Sequence, residues 1–196
     1  IQVIPMYSRA ALVPDVLSEN FRSRAETAGF KIGTIDLHFS GSCSDYRSRI
    51  VTDLHALAQE AHLLTHFECI SWQDLPFGSD RHLSLMNSKV ILNIHRDKHS
   101  SLETHRINHL LSLGKCIISE RSEVDSELDA LYEGNVIFAD SMQRMFELSL
   151  YYVRNDSARG IIEAAALLKY ESIQHDVTVL GRSVADVHNR MIQQMA

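Results

Sequence analysis

The residues most able to do chemistry are gathered in one stretch, His95–Glu120, HRDKHSSLETHRINHLLSLGKCIISE. It opens where a hydrophobic run ends. A polar loop with Arg96 and Lys98 follows, then Ser100 and Ser101, then a helical pattern. Ser100 and Glu103 have the S-x-x-E spacing of a capping box. The start of a helix offers free N–H groups and a partial positive charge, which suits a phosphate or a carboxylate. Arg96 and Lys98 would add charge to such an anion site. The same features also serve any surface helix, and both readings stand at this point. On the helix, Leu102, Ile107, Leu110, Leu111 and Leu113 form an apolar arc. Glu103 and Arg106 fall inside that arc. Charges on a buried face need partners. They either pair with each other at i,i+3 or point into a cleft and touch a ligand.

The histidines carry less. His105 and His109 are four apart on the helix, with His95 and His99 upstream, and HxxxH can bind zinc. There is no HExxH, no cysteine pair and no carboxylate triad beside them. With 11 histidines in the chain such spacing arises by chance, and no metal site is assigned. GxSxG, Walker and GxGxxG patterns are also absent.

These residues need elements to position them. The chain has 196 residues, enough for one domain with a substantial core. Hydrophobic residues make up 45% and charged residues 22%, as in ordinary soluble domains. A net charge of -6 argues against a nucleic-acid binder, and no apolar run is long enough to span a membrane. Cys43, Cys69 and Cys116 are an odd set without CxxC spacing. That usage suggests a reducing, cytoplasmic setting, with Cys116 a buried, unpaired core residue. The chain starts at Ile1 rather than Met, which suggests a single domain, 1–196, taken from a longer protein.

Strand and helix patterns alternate. Strands are expected at Ile1–Met6, Phe30–Phe39, Phe67–Trp72, Lys89–His95, Lys115–Ser119 and Asn135–Phe138. Helices are expected from Pro14 to about Ala28, Tyr46 to about Leu64, Asp80–Asn87, Ser101–Leu113 and Glu123–Tyr132. Ser141 to about Lys169 reads as mostly helix, with a last amphipathic helix from Val184. The helix from Ser101 should stop at Gly114. About six strands alternating with helices imply an α/β fold, a Rossmann-like parallel sheet with helices on both faces. The unbroken apolar run Val90–Ile94 belongs at or near the sheet centre. Ligands of such sheets sit beyond the carboxyl ends of the strands. That directs attention to Tyr7–Arg9, Ser40–Ser42, Trp72–Leu75, His95–Glu103 and Ser119–Glu123. A receiver-like module would need an acidic pair after the first strand, and Tyr7-Ser8-Arg9 supplies none.

The segment Ser88–Asp140 resembles the C-terminal half of a GT-B glycosyltransferase, in particular the group containing the spore maturation protein CgeB. The likeness rests on SKVILNIH, the helix with Glu103 and Arg106, Gly114, the strand ending Ser119-Glu120, then Glu127-Leu128, Tyr132 and Tyr151-Tyr152. Ile70-Ser71-Trp72 with Asp74 and Leu75 is similar to the strand and loop that meet the nucleotide base. The resemblance implies a nucleoside-diphosphate sugar as donor substrate, with no obligatory metal or other cofactor. It implies phosphate contacts from Arg96, Lys98 and the Ser100–Glu103 turn with Ser101. Glu103 and Arg106 would contact the donor, and Trp72, Asp74 and Leu75 the base. His109 would meet the ribose and Glu120 the sugar or the ribose, with His95 among the nucleotide-sugar contacts. Many members carry Glu where this chain has His109. A GT-B enzyme needs a second Rossmann-like domain, which usually brings the general base, so no catalytic residue is named. The alternative is a catalytically silent domain of this fold acting in protein interaction or scaffolding.

Overall fold

The computed structural model describes residues 34–71, 73 and 79–195. The expected strand Ile1–Met6, the helix up to Ala28 and the Tyr7–Arg9 loop lie outside them. So do Trp72, Asp74 and Leu75.

The described chain runs β1 Ile35–Ser42, α1 Asp45–Glu60, β2 Thr65–Ile70, α2 Ser79–Met86, β3 Ser88–Asn93, α3 Thr104–Ser112 and β4 Cys116–Glu120. It continues with α4 Ser126–Ala130, β5 Ile137–Ala139, α5 Met142–Arg154 and α6 Asp156–Met195. The strands form a 5-stranded sheet in the order β2-β1-β3-β4-β5, and every pairing is parallel. The expected Rossmann-like architecture is therefore present.

Strand alternation explains the two layers. Leu37, Phe39, Val90, Leu92, Ile94, Cys116 and Ile118 face α1 and α5, meeting Val51, Leu54, Ala58, Met145 and Phe146. Ile91 and Ile117 point the other way, toward α3 and α6, where Ile107, Leu110, Leu111 and Ala166 complete the second layer. Because β3 is covered on both faces, its run can be continuously apolar; Val90, Ile91, Leu92 and Ile94 are all buried. β3 occupies the middle of the sheet, as its composition predicts.

Several boundaries differ from the expected ones. β1 continues to Ser42, so Ser40–Ser42 is strand rather than loop. α3 starts at Thr104 rather than Ser101, and its N-cap is Glu103 without a side-chain capping bond. The Ser100–Glu103 capping box does not form: the Ser100 N–H donates to Asp97 O at 3.2 Å in a turn before the helix. α4 spans only Ser126–Ala130. The helix expected from Val184 is the end of one continuous helix, α6. Gly114 does end the helix before it. It has φ +60, and a Cβ there would stand 3.0 Å from Leu167, so only glycine fits without strain.

The cysteine reading divides. Cys116 is buried and free, and burial pushes its thiol pKa up to about 12. Cys43 and Cys69, however, form a disulfide with a Cα–Cα separation of 4.8 Å. The parallel register sets Cys69 opposite Gly41, so Cys43, two residues on, is carried past the end of β1 and within reach. Sequence spacing cannot show this pairing, because strand adjacency creates it. The bond removes the basis for inferring a reducing, cytoplasmic setting. Among the described residues, no helix is long and apolar enough to cross a membrane.

Candidate functional site

Strand order reverses direction between β1 and β3: β1 leads outward to β2, and the chain then returns to β3 and proceeds to β4 and β5. The carboxyl ends of β1 and β3 therefore flank the crevice where open α/β sheets bind ligands. Arg47, in the first turn of α1, fills its floor. It is 2% exposed. Its Nε donates to Ile94 O at 2.9 Å and its Nη1 to Ser42 O at 3.0 Å. The guanidinium thus joins the two strand ends. Its Nη2 donates to Glu103 Oε1. Ser44, the N-cap of α1, accepts from the Arg47 N–H at 3.1 Å, and its hydroxyl donates to Arg96 O. The loops after β1 and β3 are tied together in this way.

Glu103 is shared. Arg106 Nε lies 3.1 Å from Glu103 Oε2, so the i,i+3 pair does form, and it does so inside the crevice. Arg106 is 13% exposed and lies over the Phe39 ring at 6.0 Å. Its Nη1 is buried without a hydrogen-bond partner among the described residues. Burial above all, with Glu103 opposing and Arg47 and Arg81 adding, lowers its pKa to about 10. It remains cationic at neutral pH. Gly41 makes this approach possible: a Cβ there would stand 3.1 Å from the Phe39 ring and 3.2 Å from Arg106 Nη2. Two arginines share one carboxylate, so the crevice holds one positive charge in excess within this triad.

His95 and Glu120 complete the surroundings. The His95 N–H donates to Glu120 Oε2 at 2.6 Å, and Tyr46 OH donates to Glu120 Oε1 at 2.7 Å. Burial raises the Glu120 pKa, against the two hydrogen bonds and Arg47. Burial also raises the Tyr46 pKa, and its bond to Glu120 adds to the shift. The His95 ring is buried, and burial holds it below the usual imidazole range, with Glu103 opposing.

The structure therefore brings His95, Glu103, Arg106 and Glu120 together at the strand ends. Of the other expected site residues among the described ones, Lys98 lines a neighbouring cavity together with His95 and Glu120. The Lys98 ammonium is 64% exposed and lies 3.4 Å from Glu123. Arg96 and Ser101 are exposed. Ser100 contributes its carbonyl, which accepts from Ser122 Oγ at 3.4 Å. His109 is one helical turn beyond Arg106, with its ring 6.3 Å from that of His82. Its surroundings lower its pKa to about 4, chiefly by desolvation, with Arg81 and His82 adding.

Arg47 and Tyr46 are the residues that sequence reasoning missed, whereas Gly41 lies in the Ser40–Ser42 stretch to which it pointed. The signal was available for Arg47. It shares a helix face with Val51, Leu54 and Ala58, all buried. It is a charge inside an apolar arc, the same pattern that singled out Glu103 and Arg106.

Against known proteins, no family model matches the chain, and no curated protein matches its sequence. Solved structures do match, in 9 chains. One is the crystal structure of TarM, with a TM-score of 0.53 and 9% identity, covering 76% of this chain and 36% of that one. At this identity the likeness concerns the fold. The parallel sheet flanked by helices is consistent with one half of a GT-B glycosyltransferase fold. The chain spans about a third of TarM's length.

Proposed function

We propose that this chain is the donor-binding domain of a glycosyltransferase and holds a nucleoside-diphosphate sugar in the crevice between β1 and β3. The carrying observation is the Arg47–Glu103–Arg106 triad. It places two largely buried arginines, one of them with a nitrogen lacking a partner among the described residues, at the topological switch point of a fold that also occurs in TarM. A diphosphate would take hydrogen bonds from Arg106, whose Nη1 has no partner among the described residues. Arg47 acts beneath it as a positioning residue. Arginine charge takes the place of a metal in this scheme. Transfer needs a second domain to close the cleft and bring the acceptor.

A second reading is supported by two points: Glu103 is held between Arg47 and Arg106, and His109 stands where, by the resemblance, many GT-B enzymes carry a ribose-binding Glu. Such a domain would serve protein interaction without transfer.

Titration of UDP, GDP and ADP separates the readings. Wild type should bind at least one of them. Arg106→Ala should bind that nucleotide about ten-fold or more weakly, because a charge-assisted bond contributes roughly 1.5–3 kcal/mol and about 1.4 kcal/mol is one decade. Arg144→Ala, on the exposed side of α5, should match wild type. Absence of binding to all three nucleotides would favour the silent domain.

A further inference from the structure

The consecutive residues Gly41 to Ser44 run along the β1 side of the crevice. Gly41 lets Arg106 approach, since a Cβ there would stand 3.2 Å from Arg106 Nη2. Ser42 O accepts from Arg47 Nη1 at 3.0 Å. Ser44 Oγ accepts from the Arg47 N–H, and its hydroxyl donates to Arg96 O. Cys43 instead joins β2. Its N–H donates to Ile70 O at 2.9 Å, and its sulfur is bonded to Cys69. The disulfide therefore anchors to β2 the loop whose neighbouring residues position Arg47 and accommodate Arg106. The bond also lies where a reductant reaches it. Cys43 is exposed and Cys69 half-buried, and β2 is the edge strand of the described sheet. Cys116 is in the opposite situation: it is buried and free, and burial raises its thiol pKa to about 12. Accessible and inert sulfur are thus segregated in the fold.

We propose that Cys43–Cys69 is a thiol-exchange site whose redox state fixes or frees Arg47 and so sets the crevice's grip on an anion. The reactant is a dithiol. One of its thiolates attacks Cys43 Sγ, the Cys43–Cys69 bond breaks, and Cys69 leaves as a thiolate and takes up a proton. The second thiolate of the reductant attacks the reductant's own sulfur in the mixed disulfide, and Cys43 leaves and is protonated. Two electrons and two protons pass to the protein, and the dithiol ends as a disulfide. Exchange with a disulfide oxidant runs the same steps backwards and restores the bond. Reduction leaves backbone hydrogen bonds to hold the loop to β2, and the loop gains freedom that a cross-link between residues 26 apart denies it. The first turn of α1 feels this directly, because Ser44 is its N-cap. Control of nucleotide binding rests on the diphosphate reading; the exchange and the loosening of Arg47 do not.

Native protein treated with millimolar dithiothreitol, alkylated with iodoacetamide and read by mass spectrometry tests the exchange. Cys43 and Cys69 should both be alkylated after treatment and neither before it. Cys116 should stay unlabelled throughout, which reports that the fold is intact. Hydrogen–deuterium exchange tests the loosening. In the reduced protein the Arg47 and Ser48 amides, which donate to Ser44, should exchange about ten-fold faster or more, with α5 unchanged. Cys43→Ser combined with Cys69→Ser should reproduce the reduced pattern and abolish the response to dithiothreitol. A bond that resists dithiothreitol overturns the proposal, and so do equal amide rates in the two states. Labelling of Cys116 on reduction overturns it too, because the bond would then hold the whole fold rather than the crevice. For the ligand, the nucleoside diphosphate that wild type binds best should bind about ten-fold more weakly to the reduced protein and recover on reoxidation with glutathione disulfide. Equal affinity in the two states overturns the proposal and leaves the diphosphate reading intact. Absence of nucleotide binding in both states sinks that reading alone, and the alkylation and amide rates still decide the proposal.

Discussion

Arg47 illustrates how one side chain holds the crevice in shape. Its three nitrogens reach Ile94 O, Ser42 O and Glu103, so it links β1, β3 and the start of α3. Burying an ion pair gains little over apolar packing, but removing one partner strands the other. Arg47→Met keeps an apolar stem and removes the head, which lies over the Phe39 ring at 5.9 Å. It should cost about 3–5 kcal/mol, read as a lower urea midpoint at unchanged slope. A loss below about 1 kcal/mol would show that the triad does not hold the strand ends. At this scale the sequence was only partly legible. Glu103 and Arg106 stood out because they break an apolar arc. Arg47 breaks one too, but it comes 56 residues before Glu103, and only the fold brings the two together. Arg96 and Lys98 looked like phosphate ligands because loop cations near a helix start fit that pattern. The structure turns Lys98 toward Glu123 and leaves Arg96 exposed.

The elements were more legible than their edges. Every strand expected from Phe30 onward is present, because β-branched runs bounded by polar loops mark buried parallel strands. Ends depend on local hydrogen bonds that compete closely. Before α3 the S-x-x-E spacing predicts a cap at Ser100, yet Glu103 is drawn to Arg47 and Arg106 instead. The carboxylate cannot serve both, and the ion pairs hold it. The turn at Ser100 then delays the helix to Thr104. At the other end of α3 nothing competes, and Gly114 terminates the helix as expected. The two ends therefore differ in tolerance. Ser100→Ala should change stability by less than about 0.5 kcal/mol, since a lost N-cap costs about 1 kcal/mol and none is formed here. Gly114→Ala should cost about 1–2 kcal/mol, because its φ of +60 strains any Cβ and Leu167 is 3.0 Å away. Thermal unfolding of both variants checks this. A large loss in Ser100→Ala would restore the capping box.

At the scale of the fold, the parallel sheet covered on both faces could be read from strand–helix alternation and the central place of β3 from its unbroken apolar run, but strand adjacency could not. The Cys43–Cys69 bond depends on that adjacency, and so does a histidine pair between the same strands. His38 on β1 faces His66 on β2 in register, with their rings 4.9 Å apart and nearly parallel. His38 is fully buried, and neither ring nitrogen has a hydrogen-bond partner among the described residues. Burial above all, with like charge from His66, Arg81, Lys115 and Arg106 adding to it, lowers its pKa to about 3. An imidazole in the unfolded chain titrates near 6.5. Its folded pKa is depressed, so the unfolded state binds the extra proton as pH falls. The stability His38 contributes is complete above about 6.5 and is lost progressively between about 6.5 and 3. Between about pH 7.5 and 5.5 one such histidine takes about 1.4 kcal/mol from the folded state. His38→Phe keeps an aromatic ring against His66 and removes the titration. Urea unfolding at about pH 7.5 and 5.5 should therefore show wild type losing about 1.4 kcal/mol more than His38→Phe over that interval. His66, 35% exposed and 3.2 Å from Glu68, is present in both proteins and cancels in the comparison. Equal losses would mean that His38 accepts a proton in the folded state, and the β1–β2 interface would then have to accommodate a charged ring.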